Sequence, residues 1–199
     1  KKTSLQKIFS QTEMTTKAYL LSLGFSEQII QNFFQPFFGG IFLESELETS
    51  SRMFEFVFKM FSVGSAAIPA EGMEAIPRQL KSKLGKTDFL FNFKVVSIEN
   101  DQVGLDDGNV LTADAVIIAT QPDKILKKLK GQFMGYQQVT NLYFEVDQSF
   151  INKPLIGLIP KNGRLINNFC FMTDTAPEYS INGKALLSVS VNGNHGLAE

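Results

Sequence analysis

The chain has no tryptophan, one cysteine and one histidine in its 199 residues, and each scarcity excludes something. A lone cysteine, Cys170, rules out an internal disulfide framework and fits a reducing compartment, so a cytoplasmic location is expected. A lone histidine cannot supply the usual zinc constellation. His195 lies in the turn-like run VNGNHG and reads as a solvated loop residue. The net charge of -1 exerts no overall pull toward nucleic acid or an anionic surface. No apolar run approaches the roughly 18–20 residues that a membrane span needs. Peripheral membrane contact is the only kind left open. The start, KKTSLQKIFSQTE, has no continuous apolar segment after its lysines and is not a secretory signal. It reads as if the chain began in the middle of something.

Catalytic signatures are missing as well. Gly85-Lys86-Thr87 has the tail of a phosphate-binding loop, but the glycine needed upstream is Leu80, so the backbone cradle is absent. Ser65 in VGSAA lacks the second glycine of a nucleophile elbow. The acids of ENDQVGLDDG do not have calcium-loop spacing, and Asp106 and Asp107 read as turn residues. No GxGxxG dinucleotide fingerprint occurs anywhere. No nucleophile, general base or metal ligand set is expected among these side chains. Redox chemistry would have to be carried by a cofactor.

What is abundant is phenylalanine. The 44% hydrophobic and 20% charged composition is that of an ordinary globular chain, but it includes 19 Phe. Phenylalanine adds apolar bulk without a hydrogen-bonding handle, so either the core is built of it or an apolar cavity is lined with it. Residues 1–84 have helical period. Thr15 to Leu23 stops at Gly24. Ser26 resembles an N-cap before Ile29, Ile30, Phe33, Phe34 and Phe37. Pro36 is expected to kink or end that helix, and Gly39-Gly40 to loosen the chain beyond it. A helix from about Glu48–Ser51 to Gly64 carries Met53, Phe54, Val57, Phe58, Met60 and Phe61, apolar on most faces, and should be buried or line a pocket. Met73 to Leu84 is a further helix, with Pro77 in its first turn.

At Gly85 the period changes. Phe89, Phe91 and Phe93 alternate; KVVSIEN, QVGLDDG and VLTADAVIIAT follow as strands, with a hairpin at Asp107-Gly108. Lys124 to Lys130 reads as a short basic helix with a solvated lysine face. After Gly131 the runs VTNLYFEVD, LIGLIP, INNFCFM and ALLSVSV are strands again, separated by turn signals. The fold expected is α+β: a helical layer plus a mixed β-sheet, with a small hairpin segment between.

The order of these pieces resembles the middle of the flavin-dependent amine oxidase superfamily, which includes protoporphyrinogen oxidases and phytoene-type desaturases. The matching residues are Pro69 and Gly72-Met73 before a helix, then Val95 with Ile98. Val103, Leu105, Asp107, Gly108, Leu111, Ala113 and Asp114 come next, and then Val116, Ile117, Ala119 and Pro122. PFFGGIFLESELETSSRMFEFVFKMFSVG is similar to that family's substrate-domain helices. The resemblance implies an α/β parent with residues 1–84 as the helical part of a substrate domain. Residues 85–122 would be a strand segment of the FAD domain and 123–199 the substrate-domain sheet. It also implies FAD in the complete protein, with Val95, Ala119 and Thr120 on the cofactor side; alone, Val95 reads as a core valine and Ala119-Thr120 as a tight strand end. The family's N-terminal GxGxxG and its C-terminal Gly-Asp segment are not present. The chain is therefore expected to be an internal fragment, inactive by itself and not holding FAD. Phe54, Phe58 and Phe61 share a helical face and are expected to line a cavity for a bulky hydrophobic substrate, although plain core packing explains any one of them. Two further readings stay open: a non-catalytic domain binding a hydrophobic ligand, and an interaction domain whose phenylalanines are structural.

Overall fold

A computed structural model of the chain describes residues 3–126, 135–160 and 165–193. The fold is α+β, and the chain forms two compact units, Lys1–Leu80 with Gln137–Glu199, and Lys81–Tyr136. His195 and most of the basic stretch from Lys124 to Lys130 lie outside the described residues.

The first unit begins with short, side-chain-capped helices. Helix α1 spans Leu5–Phe9 behind Ser4, α2 spans Thr16–Ser22 behind Thr15, and α3 spans Glu27–Ile29 behind Ser26. Each cap hydroxyl accepts a hydrogen bond from an amide of the first turn, which would otherwise lack a partner. Gly24 follows α2 with φ 85°, as its position in the sequence implies. Pro36 does not end the helix. A π-turn, Ile30–Phe34, widens the backbone just before it, and α4 continues over Gln35–Phe42 with the proline in its first turn. There the missing N–H is one that no intrahelical bond requires.

Gly39-Gly40 does not loosen α4 either; it is where α4 meets the sheet. A Cβ on Gly39 would lie 2.6 Å from the Glu44 carbonyl oxygen, and one on Gly40 would lie 2.7 Å from the side-chain amides of Asn167 and Asn168. Asn167 Nδ2 donates to the Pro36 carbonyl and Asn192 Nδ2 to the Gly39 carbonyl, both at 2.9 Å. Beyond α4 the loop turns through Leu43 and Leu47, both with φ 57°. The Glu44 carboxylate holds that loop by accepting from the amides of Glu46, Leu47 and Thr49.

Helix α5, Ser51–Val63, is capped by Ser50 and crosses the earlier helices. Leu20, Ile30, Phe34, Phe38, Leu47 and Phe54 form one buried cluster. Phe38 is its centre, with ring centroids 4.6 Å from Phe54 and 6.2 Å from Phe34. Of α5's apolar residues only Phe54 is fully buried; Met53, Phe58, Met60, Phe61 and Val63 are exposed.

The rest of this unit is a four-stranded sheet in the order β4-β7-β6-β5. Its strands are β4 Val139–Val146, β5 Ile156–Leu158, β6 Ile166–Phe171 and β7 Ala185–Asn192. Every pairing is antiparallel, so the sheet is not mixed. Register sorts the central side chains by face. Val189 pairs with Leu142 and Phe169, which makes one face apolar. Ser190 pairs with Asn141 and Asn168, and its hydroxyl donates to Asn141 Oδ1 at 2.7 Å, which makes the other face polar. Two residues along, on the polar face, Asn192 reaches α4.

The chain leaves this unit within α6, Ala75–Ser82, where Pro77 does sit in the first turn. The second unit carries an antiparallel sheet in the order β1-β2-β3, built from Val95–Glu99, Gln102–Leu105 and Val110–Thr112. The hairpin at Asp107-Gly108 forms as expected. Gly108 has φ 88°, and the Asp107 carboxylate accepts from the Asn109 amide. Two strand expectations need correction. Phe89 to Phe93 is not in a strand, and the strand read as VLTADAVIIAT ends at Thr112, with residues 115–119 unpaired. In both places the strand pattern is present and a neighbouring strand is not.

Candidate functional site

The second unit contains a cleft of about 410 Å³ lined by Val95, Ile98, Val103, Val116, Ala119 and Thr120, among others. Val95 thus shares one hollow with Ala119 and Thr120, which are distant from it in sequence. Strand pairing explains how. The Asp106 amide donates to the Lys94 carbonyl, and the Leu105 amide donates to the Asn109 carbonyl. Leu105 therefore commits its amide to β3, and the pair Val95/Leu105 is a non-hydrogen-bonded one. β1 is the outer strand of this sheet, and its register shifts immediately after Val95. Small Ala119 and Thr120 leave the facing backbone open to approach.

The first unit holds an apolar cleft of about 300 Å³ whose walls include Ile8, Phe25, Phe34, Phe54 and Phe58. Phe54 and Phe58 are stacked at 5.7 Å. Phe61 is not in this lining; it packs against Phe37 at 5.6 Å. The three phenylalanines thus share a helical stripe, as their spacing implies, but only two reach the cleft. Its polar end was not visible in the sequence. Tyr19 Oη donates to Glu55 Oε1 at 2.6 Å, and Gln11 Nε2 donates to Glu55 Oε2 at 2.9 Å. Lys59 lines the same cleft and donates to the Thr3 carbonyl. Glu55 and Lys59 follow Phe54 and Phe58 by one position each, so one signal was present. Tyr19 joins them across 36 residues, which only folding reveals.

Burial, and then the Glu55 carboxylate, push the Tyr19 hydroxyl from its usual 10.0 up to about 12. Folding therefore favours the protonated phenol. The stability this confers is complete below the unfolded value near 10 and is lost as pH rises toward about 12. Ultraviolet titration should show Tyr19 ionising late, well above the ordinary tyrosine value of 10.0. In Glu55→Gln that late ionisation should move toward the ordinary range, and an unchanged curve would show that Glu55 does not act on Tyr19.

A third cleft, about 410 Å³, lies in the first unit where the Glu44 loop meets Asn167 and Asn192. Cys170 is half-buried, and burial raises its thiol above the ordinary value, so it is not poised as a nucleophile. Among the described residues no group of His, Cys, Asp and Glu could hold a metal ion. Among the same residues no helix is long and apolar enough to cross a membrane.

The model of the family described as flavin containing amine oxidoreductase matches residues 9–198. The chain belongs to that family. It is also similar in fold to the crystal structure of the PF1083 protein from Pyrococcus furiosus, with a TM-score of 0.70 and 15% sequence identity. That match covers 96% of this chain and 54% of the other, so the chain spans about half the length of its solved neighbour. No curated protein matches it.

Proposed function

We propose that this chain is the substrate-binding region, plus one side of the dinucleotide site, of an FAD-dependent oxidoreductase acting on a bulky hydrophobic substrate. The observation that carries this reading is the shared cleft of Val95, Ala119 and Thr120. Val95 lies on the outer strand of the β1-β2-β3 sheet, and a free strand edge suits the hydrogen-bonding edge of an adenine. Ala119 and Thr120 follow an apolar run, in the manner of ligand sites beyond strand ends. The residues therefore fit one part of FAD. Its pyrophosphate needs converging backbone amides, as a glycine-rich turn provides, and no GxGxxG occurs in the chain. When bound, FAD supplies the hydride acceptor. The chain's own contribution is to orient the cofactor's nucleotide end and to keep the substrate in an apolar, water-poor cleft.

Purified alone and supplied with FAD, the chain should retain no stoichiometric flavin absorbance. The complete protein should be yellow as purified. Ala119→Phe in the complete protein fills the cleft beside Val95 and should weaken flavin retention by roughly tenfold or more, equivalent to at least ~1.4 kcal/mol. A yellow isolated chain, or an Ala119→Phe protein with full flavin content, overturns the assignment. The aromatic cleft lies wholly within the first unit, which favours a second reading, a hydrophobic-ligand domain without chemistry. Substrate turnover by the complete protein, lost when Phe58→Glu charges the cleft wall, separates the two. The cytoplasmic location belongs to this same reading.

A further inference from the structure

The apolar cleft of the first unit carries one charge of each sign. Phe25, Phe34, Phe54 and Phe58 form a continuous aromatic wall, with successive ring centroids 4.9, 6.0 and 5.7 Å apart. Phe25 and Phe58 are 40% and 51% exposed, so the wall is open to a ligand. Glu55 and Lys59 line the same cleft. They stand four residues apart on α5, acid first, which is the order that favours an ion pair. Among the described residues neither takes the other as a partner. Glu55 accepts from Tyr19 and Gln11, and Lys59 donates to the Thr3 carbonyl. Those partners are neutral, and the Tyr19 phenol keeps its proton up to about 12.

This arrangement selects the head group of a ligand. A carboxylate has about four lone-pair positions and an ammonium three N–H donors. Glu55 therefore has acceptor capacity beyond Tyr19 and Gln11, and Lys59 has donor capacity beyond Thr3. An apolar ligand ending in a carboxylate would be drawn to Lys59 but set against Glu55. One ending in an ammonium would meet the reverse. Within an apolar cleft either mismatch is costly, because little water is left to screen it. A hydroxyl meets both residues at once: its oxygen accepts from Lys59 and its proton goes to Glu55.

We propose that this cleft binds the hydroxyl-bearing end of an uncharged, apolar alcohol, with the hydroxyl bridging Lys59 and Glu55 and the hydrocarbon laid on the aromatic wall. At about 300 Å³ the cleft is at the small end of ligand sites, which suits one end of a larger molecule. Lys59 and Glu55 set the specificity together, since each excludes the ion that the other attracts. The binding stands on the cleft alone. Only the step from ligand to substrate rests on the function proposed above.

Titration calorimetry on the complete protein at neutral pH, with 1-octanol, octanoate and octylammonium, tests the assignment. The three probes share one chain and differ only in the head. 1-Octanol should bind at least roughly tenfold more tightly than either ion. Glu55→Gln should move the preference to octanoate and Lys59→Gln to octylammonium, each by roughly tenfold relative to 1-octanol. A variant that merely loses stability weakens all three probes alike, whereas these exchanges reorder them. Ile181→Lys, at a fully exposed position of the first unit outside the cleft, should keep the parent order. Equal affinities for the three heads, one order in every variant, or no binding of 1-octanol overturns the proposal. So does norleucine bound more tightly than 1-octanol, which would make the ligand a zwitterion with one charge on each residue. 1-Octanol bound by a complete protein without flavin absorbance sinks the FAD reading and leaves this one standing; flavin absorbance with an ion preferred does the reverse.

Discussion

Phe38→Ala is expected to lower the unfolding free energy of this chain by about 3–5 kcal/mol, among the largest effects of any single truncation. The side chain is 0% exposed and touches the rings of Phe34, Phe37, Phe42 and Phe54. Removing it deletes most of a large apolar surface and leaves a void bounded by rigid rings that cannot collapse into it. Because Phe38 sits on α4 and Phe54 on α5, the loss also uncouples the helix that carries the sheet contacts from the helix that carries the aromatic cleft. Urea denaturation should show a lower midpoint with little change in slope. Phe61→Ala, at a site 47% exposed, is the comparison and should lose far less. Equal losses at the two sites would mean that Phe38 is not the centre of this core.

Gly39→Ala should destabilise the chain by about 1–3 kcal/mol, although alanine is the better helix former. In an open helix interior the same exchange gains roughly 0.8–1 kcal/mol. Here the sign reverses because the new methyl would lie 2.6 Å from the Glu44 carbonyl oxygen, a backbone atom fixed by its own loop. The Glu44 amide is bonded to the Gly39 carbonyl at 3.1 Å, so α4 and the loop cannot separate without breaking that bond. Displacing the loop would also disturb the Asn192 contact to the same carbonyl. Gly85→Ala, where nothing lies within 4 Å of the new carbon, should be neutral or slightly stabilising. Thermal unfolding of the two variants side by side decides the matter; a Gly39→Ala protein as stable as the parent would refute the close approach.

Local chemistry is written in the sequence. Ser26 and the residues after it specify a capped helix, Asp107-Gly108 specifies a hairpin, and KVVSIEN carries the strand that begins at Val95. Each depends on a few neighbouring residues, so each is legible without knowing the fold. The shared face of Phe54, Phe58 and Phe61 is equally local, since helical geometry alone aligns them. What those side chains meet is decided elsewhere. Phe54 is buried because Phe34 and Phe38 arrive from another helix, Phe58 lines a cleft with Phe25, and Phe61 finds Phe37. Pro36 and Gly39-Gly40 mislead for the same reason. A helix-breaking residue type predicts a break only when nothing distant compensates, and here a π-turn accommodates the proline while Asn167 and Asn192 bind the helix across more than 130 residues. The opposite failure occurs at Val116–Ala119: the local pattern asks for a strand, but a strand exists only where a second backbone offers the hydrogen bonds. Residue type determined the capacity for each element; tertiary structure determined which capacities were used, because burial and backbone pairing are properties of two surfaces rather than one.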